Sequence, residues 1–272
     1  MNHPQSPMRI VVGIDGSDAA INAAKWAVTE AVGRNILLRL VYAIPERHGD
    51  ATAGVDSLDI EYGQASLRAA DAALQAMGEP VKVECDIVRG SPEGALIDES
   101  QSAAMICVGS VGIGRIASKV LGSTADTVAR KAHCPVAIIR TDGEGAKSDS
   151  GYVAVVVDES PGNDAVLDHG FRQARLRGAP ILALGVWRWG VGEIPYYELS
   201  HRLGHWVAQY RDVHVMPTAA RRGAAEFLTH TQESVQLAVV GSDDADKVAR
   251  IVGSSGQHLF GRTGCSVLVV RE

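Results

Sequence analysis

The chain reads as an α/β protein built of two tandem doubly wound domains, each a five-stranded parallel sheet flanked by helices. Three observations predict this. Short apolar runs of strand length alternate with longer amphipathic segments along the whole chain. The alternation occurs twice, with the second half repeating the first. Hydrophobic residues make up 46% of the chain but aromatics only 5%, so the core must be mostly Val, Ala, Leu and Ile. That is the composition of parallel strands covered by helices on both faces.

The repeat can be read directly. Residues 9–18 are RIVVGIDGSD and residues 152–161 are YVAVVVDESP. Each is an apolar run ending in Asp with Ser two residues later: Asp15 and Ser17, then Asp158 and Ser160. At the same displacement of 143 positions, Leu38 to Ala43 aligns with Ile181 to Val186. Near the ends, Ala129 to Val136 faces Phe260 to Val267 with a small drift in spacing. The polar, Gly/Ser-rich stretch TDGEGAKSDSG (141–151) separates the copies. It gives domains at 1–143 and 151–272 with a linker at 144–150.

In the first half strands are expected near 9–15, 36–43, 81–87, 104–109 and 135–140, and helices near 17–32, 57–77, 92–101 and 123–133. Ser17 is a natural N-cap for a helix with Ile21, Ala24, Val28 and Ala31 on one face and Gly33 near its end. In the second half strands are expected near 152–158, 180–187, 212–217, 236–241 and 265–270, and helices near 162–177, 196–210, 221–231 and 254–262. Pro161 is expected at the first helical position and Gly178 at the C-cap. Strand–helix–strand units of this kind cross over right-handedly and give parallel sheets.

Composition excludes several classes. A net charge of −6, with no basic run interleaved with aromatics, argues against nucleic acid and anionic membrane surfaces as partners. The start of the chain has no signal-peptide pattern, and the apolar stretch from Ile36 to Ile44 is short and broken by Arg39. A cytoplasmic protein without a membrane span is expected. Cys85, Cys107, Cys134 and Cys265 show no CxxC spacing and read as buried, reduced thiols.

One motif carries chemistry. After the apolar run from Met105 to Val108 come Gly109, Ser110, Val111 and Gly112, then nine residues, then Gly122, Ser123 and Thr124 opening a helix. In G-x2-G-x9-G-S, Gly109 and Gly112 allow a tight turn and close backbone approach. Gly122, Ser123 and Thr124 place helix-start amides and hydroxyls where an anion is favoured. Ligands of open α/β sheets sit beyond the strand carboxyl ends at the switch in strand order, where Asp15 and Ala43 would also lie. A carboxylate repels phosphate, so Asp15 suits the ribose hydroxyls or adenine instead. The same glycines would also serve a strand-to-helix connection that binds nothing.

The strand ending in Asp15, the G-x2-G-x9-G-S segment and the close His133-Cys134-Pro135-Val136 resemble a universal stress protein domain. The whole chain resembles the tandem members of that family common in actinobacteria. The resemblance implies strand order 3-2-1-4-5 in each half. It implies that Gly13, Asp15 and Ala43 hold adenine and ribose. Val108, Gly109, Gly112, Gly122, Ser123 and Thr124 would hold the rest of an adenine nucleotide, with ATP and Mg expected. Ala125 departs from members that offer a further hydroxyl there, and the family includes members that bind no nucleotide. The closing strands, Val136 to Arg140 and Val267 to Arg271, would fall at sheet edges, which invite pairing. Association of the halves and a homodimer of tandem chains are therefore expected.

Other signals are weaker. Gly112, Gly114 and Ala117 fit a loose dinucleotide fingerprint but follow the wrong strand and lack a later acidic residue. No P-loop and no G-x-S-x-G elbow is present. Glu198, His201 and His205, at i, i+3 and i+7, read as a solvated helix face opposite Tyr197, Leu203, Trp206 and Val207 rather than as a metal site. Trp187, Trp189, Trp206, Tyr196 and Tyr197 read as packing or subunit contact. Arg115 and Lys119 are the cations nearest the motif in sequence. With no general base and no cationic clamp beside it, a regulatory nucleotide binder without catalysis is expected. The alternatives are a slow ATP hydrolase or phosphotransferase, and a nucleotide-free dimerising scaffold.

In the second half Gly241 and Gly253 match Gly109 and Gly122, but Asp244 replaces Gly112 within Asp243-Asp244-Ala245-Asp246. The spacer is one residue shorter, although Ser254 and Ser255 remain. A nucleotide is therefore expected in domain 1 only.

Overall fold

The computed structural model describes residues 8–46, 53–112, 121–140, 151–186, 196–253 and 265–271. The linker at 144–150, the expected helix 254–262, Arg115, Lys119, Trp187 and Trp189 lie outside them. The chain divides into two compact units, Met1–Thr141 and Asp142–Glu272.

Unit 1 runs β1 (Arg9–Gly13), α1 (Asp18–Arg34), β2 (Leu37–Ile44), α2 (Ala53–Gln75), β3 (Val83–Arg89), α3 (Pro92–Ser100), β4 (Met105–Gly109), α4 (Ser123–Lys131) and β5 (Val136–Ile139). All pairings are parallel, in the order β3-β2-β1-β4-β5. The α1–α2 and α3–α4 contacts show the helices grouped in these two pairs. Right-handed crossovers explain it, because the order advances one way through β2 and β3 and back through β4 and β5.

Local chemistry sets the boundaries. Ser17 caps α1, its hydroxyl oxygen accepting from the Ala20 amide. The helix passes through Gly33 and ends at Asn35, whose left-handed backbone (φ 52°) donates to the carbonyls of Ala31 and Val32. The buried stripe of α1 is mostly alanine: Ala20, Ala23, Ala24, Ala27 and Ala31, with Val28. Ile21, expected on that stripe, is only half-buried. Small side chains let the helix lie close to the sheet, a property an apolar count along the sequence does not register.

Unit 2 repeats the plan: β6 (Tyr152–Val157), α5 (Asn163–Arg177), β7 (Ile181–Gly185), α6 (Tyr196–Gln209), β8 (Val215–Ala219), α7 (Ala224–His230), β9 (Val235–Gly241), a 3-10 helix (Ser242–Lys247), α8 (Val248–Val252) and β10 (Ser266–Val270). Its strand order is β8-β7-β6-β9-β10, again parallel throughout. Gly178 is the left-handed C-cap of α5 (φ 59°) as expected.

Several expectations need correction. Pro161 lies in a turn before α5, which starts at Asn163 with Gly162 as cap. β8 starts three residues later than expected and carries Pro217, which an edge strand of its unit tolerates because one side needs no ladder donor. The 3-10 helix and α8 lie between the strand expected near 236–241 and the helix expected near 254–262, where no helix was expected. Tyr197 and Val207 are 79% and 42% exposed, so α6 packs through Leu199 and Leu203 instead. Phe171 stacks on Trp206 and tilts against Tyr210, at centroid distances of 5.9 and 5.2 Å. Cys107, Cys134 and Cys265 are buried, but Cys85 is exposed on edge strand β3. Desolvation of its sulfur, then Asp71 and Asp86, push the Cys85 thiol pKa up, which disfavours the reactive thiolate. Among the described residues no helix is long and apolar enough to cross a membrane.

Phe171 is fully buried and joins α5 to α6 through two aromatic partners. Phe171→Ala is expected to cost about 3–5 kcal/mol by removing buried area and leaving a cavity. Urea unfolding followed by tryptophan fluorescence, with Trp206 beside the vacated ring, measures it; a loss under about 1 kcal/mol would show that unit 2 closes the gap by repacking.

Candidate functional site

The strand order brings the carboxyl ends of β1 and β4 side by side, paired from Ile10 with Met105 to Val12 with Cys107. The chain leaves β1 toward α1 and β4 toward α4, which opens the crevice between them. A cavity of about 410 Å³ occupies this crevice. Gly13, Asp15, Ala43, Val108, Gly109, Gly112, Gly122, Ser123 and Thr124 all line it. Its volume falls within the usual range for small-molecule sites.

The first wall is the exit of β1. Asp15 Oδ1 accepts from the Ser17 amide at 2.9 Å and from the Ser17 hydroxyl at 2.6 Å. Its Oδ2 lies against Gly112, where an added Cβ would come within 2.7 Å of it. Gly112 is therefore small to make room for the Asp15 carboxylate, which the sequence reading had assigned to ligand approach. Gly109 is small for a different reason. A Cβ there would lie 2.7 Å from the Ala19 carbonyl carbon and 2.8 Å from the Ala19 Cβ, so this glycine lets β4 pack on the first turn of α1.

The second wall is the start of α4. Gly122 occupies the N-cap position in an extended conformation (φ −72°, ψ 151°), and no side chain caps the helix. The first helical bond runs from the Asp126 amide to the Gly122 carbonyl, so the amides of Ser123, Thr124 and Ala125 precede it. Gly122 N donates to the Ser110 carbonyl at 2.8 Å, and Ser110 N donates to the Ile139 carbonyl at 2.8 Å. Both ends of the intervening segment are thereby tied to β5. A Cβ on Gly122 would meet only ordinary contacts, the nearest at 3.6 Å, so the protein's own packing does not require glycine here.

The remaining lining is apolar: Val41 and Ala43 from β2, Pro92 and Leu96 from α3, Val111 and Ala125. Sequence reasoning missed Pro92, Leu96 and Ala20. The α3 residues follow β3, two strands away, and only the crossover back to β4 brings them in. Asp15 is the only ionisable side chain among the described residues lining the cavity. Nearby, Tyr42 meets Tyr62 edge-on at 6.1 Å, and burial, then Tyr62, Asp59 and Asp15, raise the Tyr42 pKa.

Unit 2 keeps one wall and alters the other. Asp158 Oδ1 accepts from the Ser160 amide at 2.9 Å and from its hydroxyl at 2.5 Å, as Asp15 does from Ser17. The positions of Gly13 and Ala20, however, hold Val156 and Asn163, both buried. Asn163 Nδ2 donates to the Val156 carbonyl at 2.9 Å, so a buried side-chain amide stands where unit 1 has the alanine that lines its cavity. Asp244 stands at the place of Gly112, inside the 3-10 helix, with Lys247 Nζ at 2.6 Å. A smaller cavity of about 280 Å³ lies beside Asp158, lined also by Glu159, Tyr197, Glu198, His201 and Arg202. His205 is not part of that lining, so the three residues weighed as a metal face are not gathered there.

Fold and cavity together define a chain of two doubly wound α/β units, the first with a helix start that no side chain caps and a carboxylate lining one cavity. Residues 7–140 match the model of the universal stress protein family. A universal stress protein of Mycobacterium tuberculosis strain H37Rv is 47% identical over 263 residues, covering 97% of this chain and 96% of the relative. A second from the same strain is 38% identical over 283 residues, covering 100% and 99%. Among solved structures, a universal stress protein from Archaeoglobus fulgidus aligns with a TM-score of 0.71 over 97% of this chain and 98% of its own, at 16% identity. The chain belongs to the universal stress protein family.

The contact at Gly109 makes a direct test of the site's frame. Gly109→Ala is expected to lower stability by about 1–3 kcal/mol, because backbone, not a flexible side chain, blocks the new methyl. Chemical denaturation measures it; an unchanged midpoint would mean that α1 can retreat from β4 at no cost.

Proposed function

We propose that this chain is a cytoplasmic stress-response protein whose first unit binds an adenine nucleotide, ATP with Mg, as a regulatory ligand rather than a substrate. One observation carries the reading: the uncapped start of α4 and the Asp15 carboxylate share one cavity with an apolar wall between them. A helix start of this kind favours phosphate through its amides and dipole. Val41, Ala43, Pro92 and Leu96 offer an apolar surface to a base, and Asp15 offers an acceptor to the ribose or adenine.

The charge balance supports a role for the metal. Among the described residues no Lys or Arg lines the cavity, and this lining offers a triphosphate amides and the Ser123 and Thr124 hydroxyls. Mg binds hard oxygens and keeps much of its water shell, so phosphate oxygens with one of these hydroxyls would suit it. Signalling then requires that the nucleotide favour one state of the chain, or of a homodimer of these chains, over another.

Gly122→Asp is expected to abolish nucleotide binding while the unit stays folded. The new carboxylate would cap α4 itself and stand near the phosphates, like charges about 4 Å apart costing on the order of 1–4 kcal/mol. Calorimetric titration with Mg-ATP checks it, and undiminished affinity would remove the α4 start from the site.

Unit 2 is proposed to bind no nucleotide. Buried Val156 and Asn163 stand at the positions of Gly13 and Ala20, and Asp244 adds a carboxylate at the position of Gly112. Titration with Mg-ATP is expected to give one site per chain, and Asn163→Ala alone should leave that number unchanged because Asp244 remains. A stoichiometry near two would refute the asymmetry.

A further inference from the structure

We infer that Ser17 is a positioning residue for the nucleotide site: its hydroxyl proton fixes the Asp15 carboxylate in the orientation that receives a hydrogen bond from the nucleoside. This rests on the reading of unit 1 as a nucleotide site and adds to it a residue that the motif alone does not mark.

A serine hydroxyl has one proton. The Ser17 oxygen lies 2.6 Å from Asp15 Oδ1 and accepts from the Ala20 amide at 3.2 Å, so its proton goes to the carboxylate. The Ser17 amide donates to the same Oδ1 at 2.9 Å. Two donors from one residue hold one carboxylate oxygen and set the rotation of the group. That rotation turns Oδ2 toward Gly112, at the mouth of the β4 turn. Asp15 is thus held between the serine that grips one oxygen and the glycine that makes room for the other.

Helix capping alone does not account for the pair. In unit 1 Ser17 is also the N-cap, so the carboxylate contact looks like a by-product of the cap. In unit 2 the two roles separate. α5 starts later with Gly162 as its cap, yet the Ser160 amide and hydroxyl still bond Asp158 Oδ1 at 2.9 and 2.5 Å. The Asp-x-Ser exit keeps its geometry where no helix needs it, so orienting the aspartate is a property of the pair itself. Ser17 also lines the cavity, within the space the ligand would share with Asp15.

The test separates orientation from capping. Glycine is nearly as good an N-cap as serine but has no hydroxyl. Ser17→Gly is expected to keep a melting curve close to wild type while binding adenosine about tenfold more weakly, as for a lost hydrogen bond to a charged group. Ser17→Thr, which keeps the hydroxyl, is expected to bind adenosine as wild type does. Inorganic pyrophosphate, titrated in parallel, should bind all three proteins alike, because it reports the α4 start.

Wild-type binding of adenosine with no loss in Ser17→Gly overturns the inference and leaves the nucleotide reading standing. Equal weakening of adenosine and pyrophosphate also overturns it, since that would report a general collapse of the cavity. A wild-type chain that binds neither adenosine nor Mg-ATP overturns the nucleotide reading, and the inference falls with it.

Discussion

The carboxyl edge of unit 1 depends on how closely β4 lies against α1. At Gly109 the strand backbone packs on Ala19 with no room for a methyl group. That contact sets the position at which the chain leaves β4, and so the distance across the crevice to β1. The alanine stripe of α1 serves the same requirement from the helix side, since larger residues at Ala20, Ala23 or Ala27 would lift the helix from the sheet. Once the two elements are this close, Asp15 and Gly112 meet, and the carboxylate takes the space that the second glycine leaves. The cavity is what remains between that pair and the start of α4.

This ordering changes the meaning of the glycine motif. Read as sequence, Gly109, Gly112 and Gly122 form one phosphate-type pattern. In the structure the first accommodates a helix, the second accommodates a carboxylate, and only the third has room that the protein's own packing does not claim. Gly122 is also an N-cap without a side chain, where serine, aspartate or asparagine would normally satisfy the first amides. A capping side chain there would occupy the donors that a bound anion needs. Glycine at this N-cap costs the helix little and leaves its first amides without a side-chain partner.

The architecture was legible in the sequence because hydrophobic period, repeat and turn residues agree with one another. Strand–helix alternation, Ser17 as N-cap and Gly178 as C-cap are local decisions that the chain makes from nearest neighbours. The parts that were not legible are decided at a distance. Leu96 and Pro92 reach the cavity because α3 crosses back over the sheet, which no local pattern encodes. The helix end moves from Gly33 to Asn35 because asparagine also tolerates the left-handed conformation. The acidic run 243–246 turns into a 3-10 helix because Lys247 meets Asp244 and the apolar Val248, Ile251 and Val252 that follow are buried and draw the segment onto the unit.

The two units show which features of the fold can vary independently. Both keep the aspartate–serine pair at the exit of the first strand, with the same donors and nearly the same distances. Both keep the parallel order, so both place that aspartate at the switch in strand order. What differs is the side chains next to it. Alanine at position 20 lines the cavity of unit 1, whereas an internally bonded asparagine stands at the equivalent position 163; glycine at position 13 packs against Leu96, and its counterpart is Val156. Asn163 is held by a carbonyl of the adjacent strand, so its amide is bonded in place rather than free to swing away. A duplicated fold can thus change the side chains next to its strand exit while the topology and the exit itself remain intact.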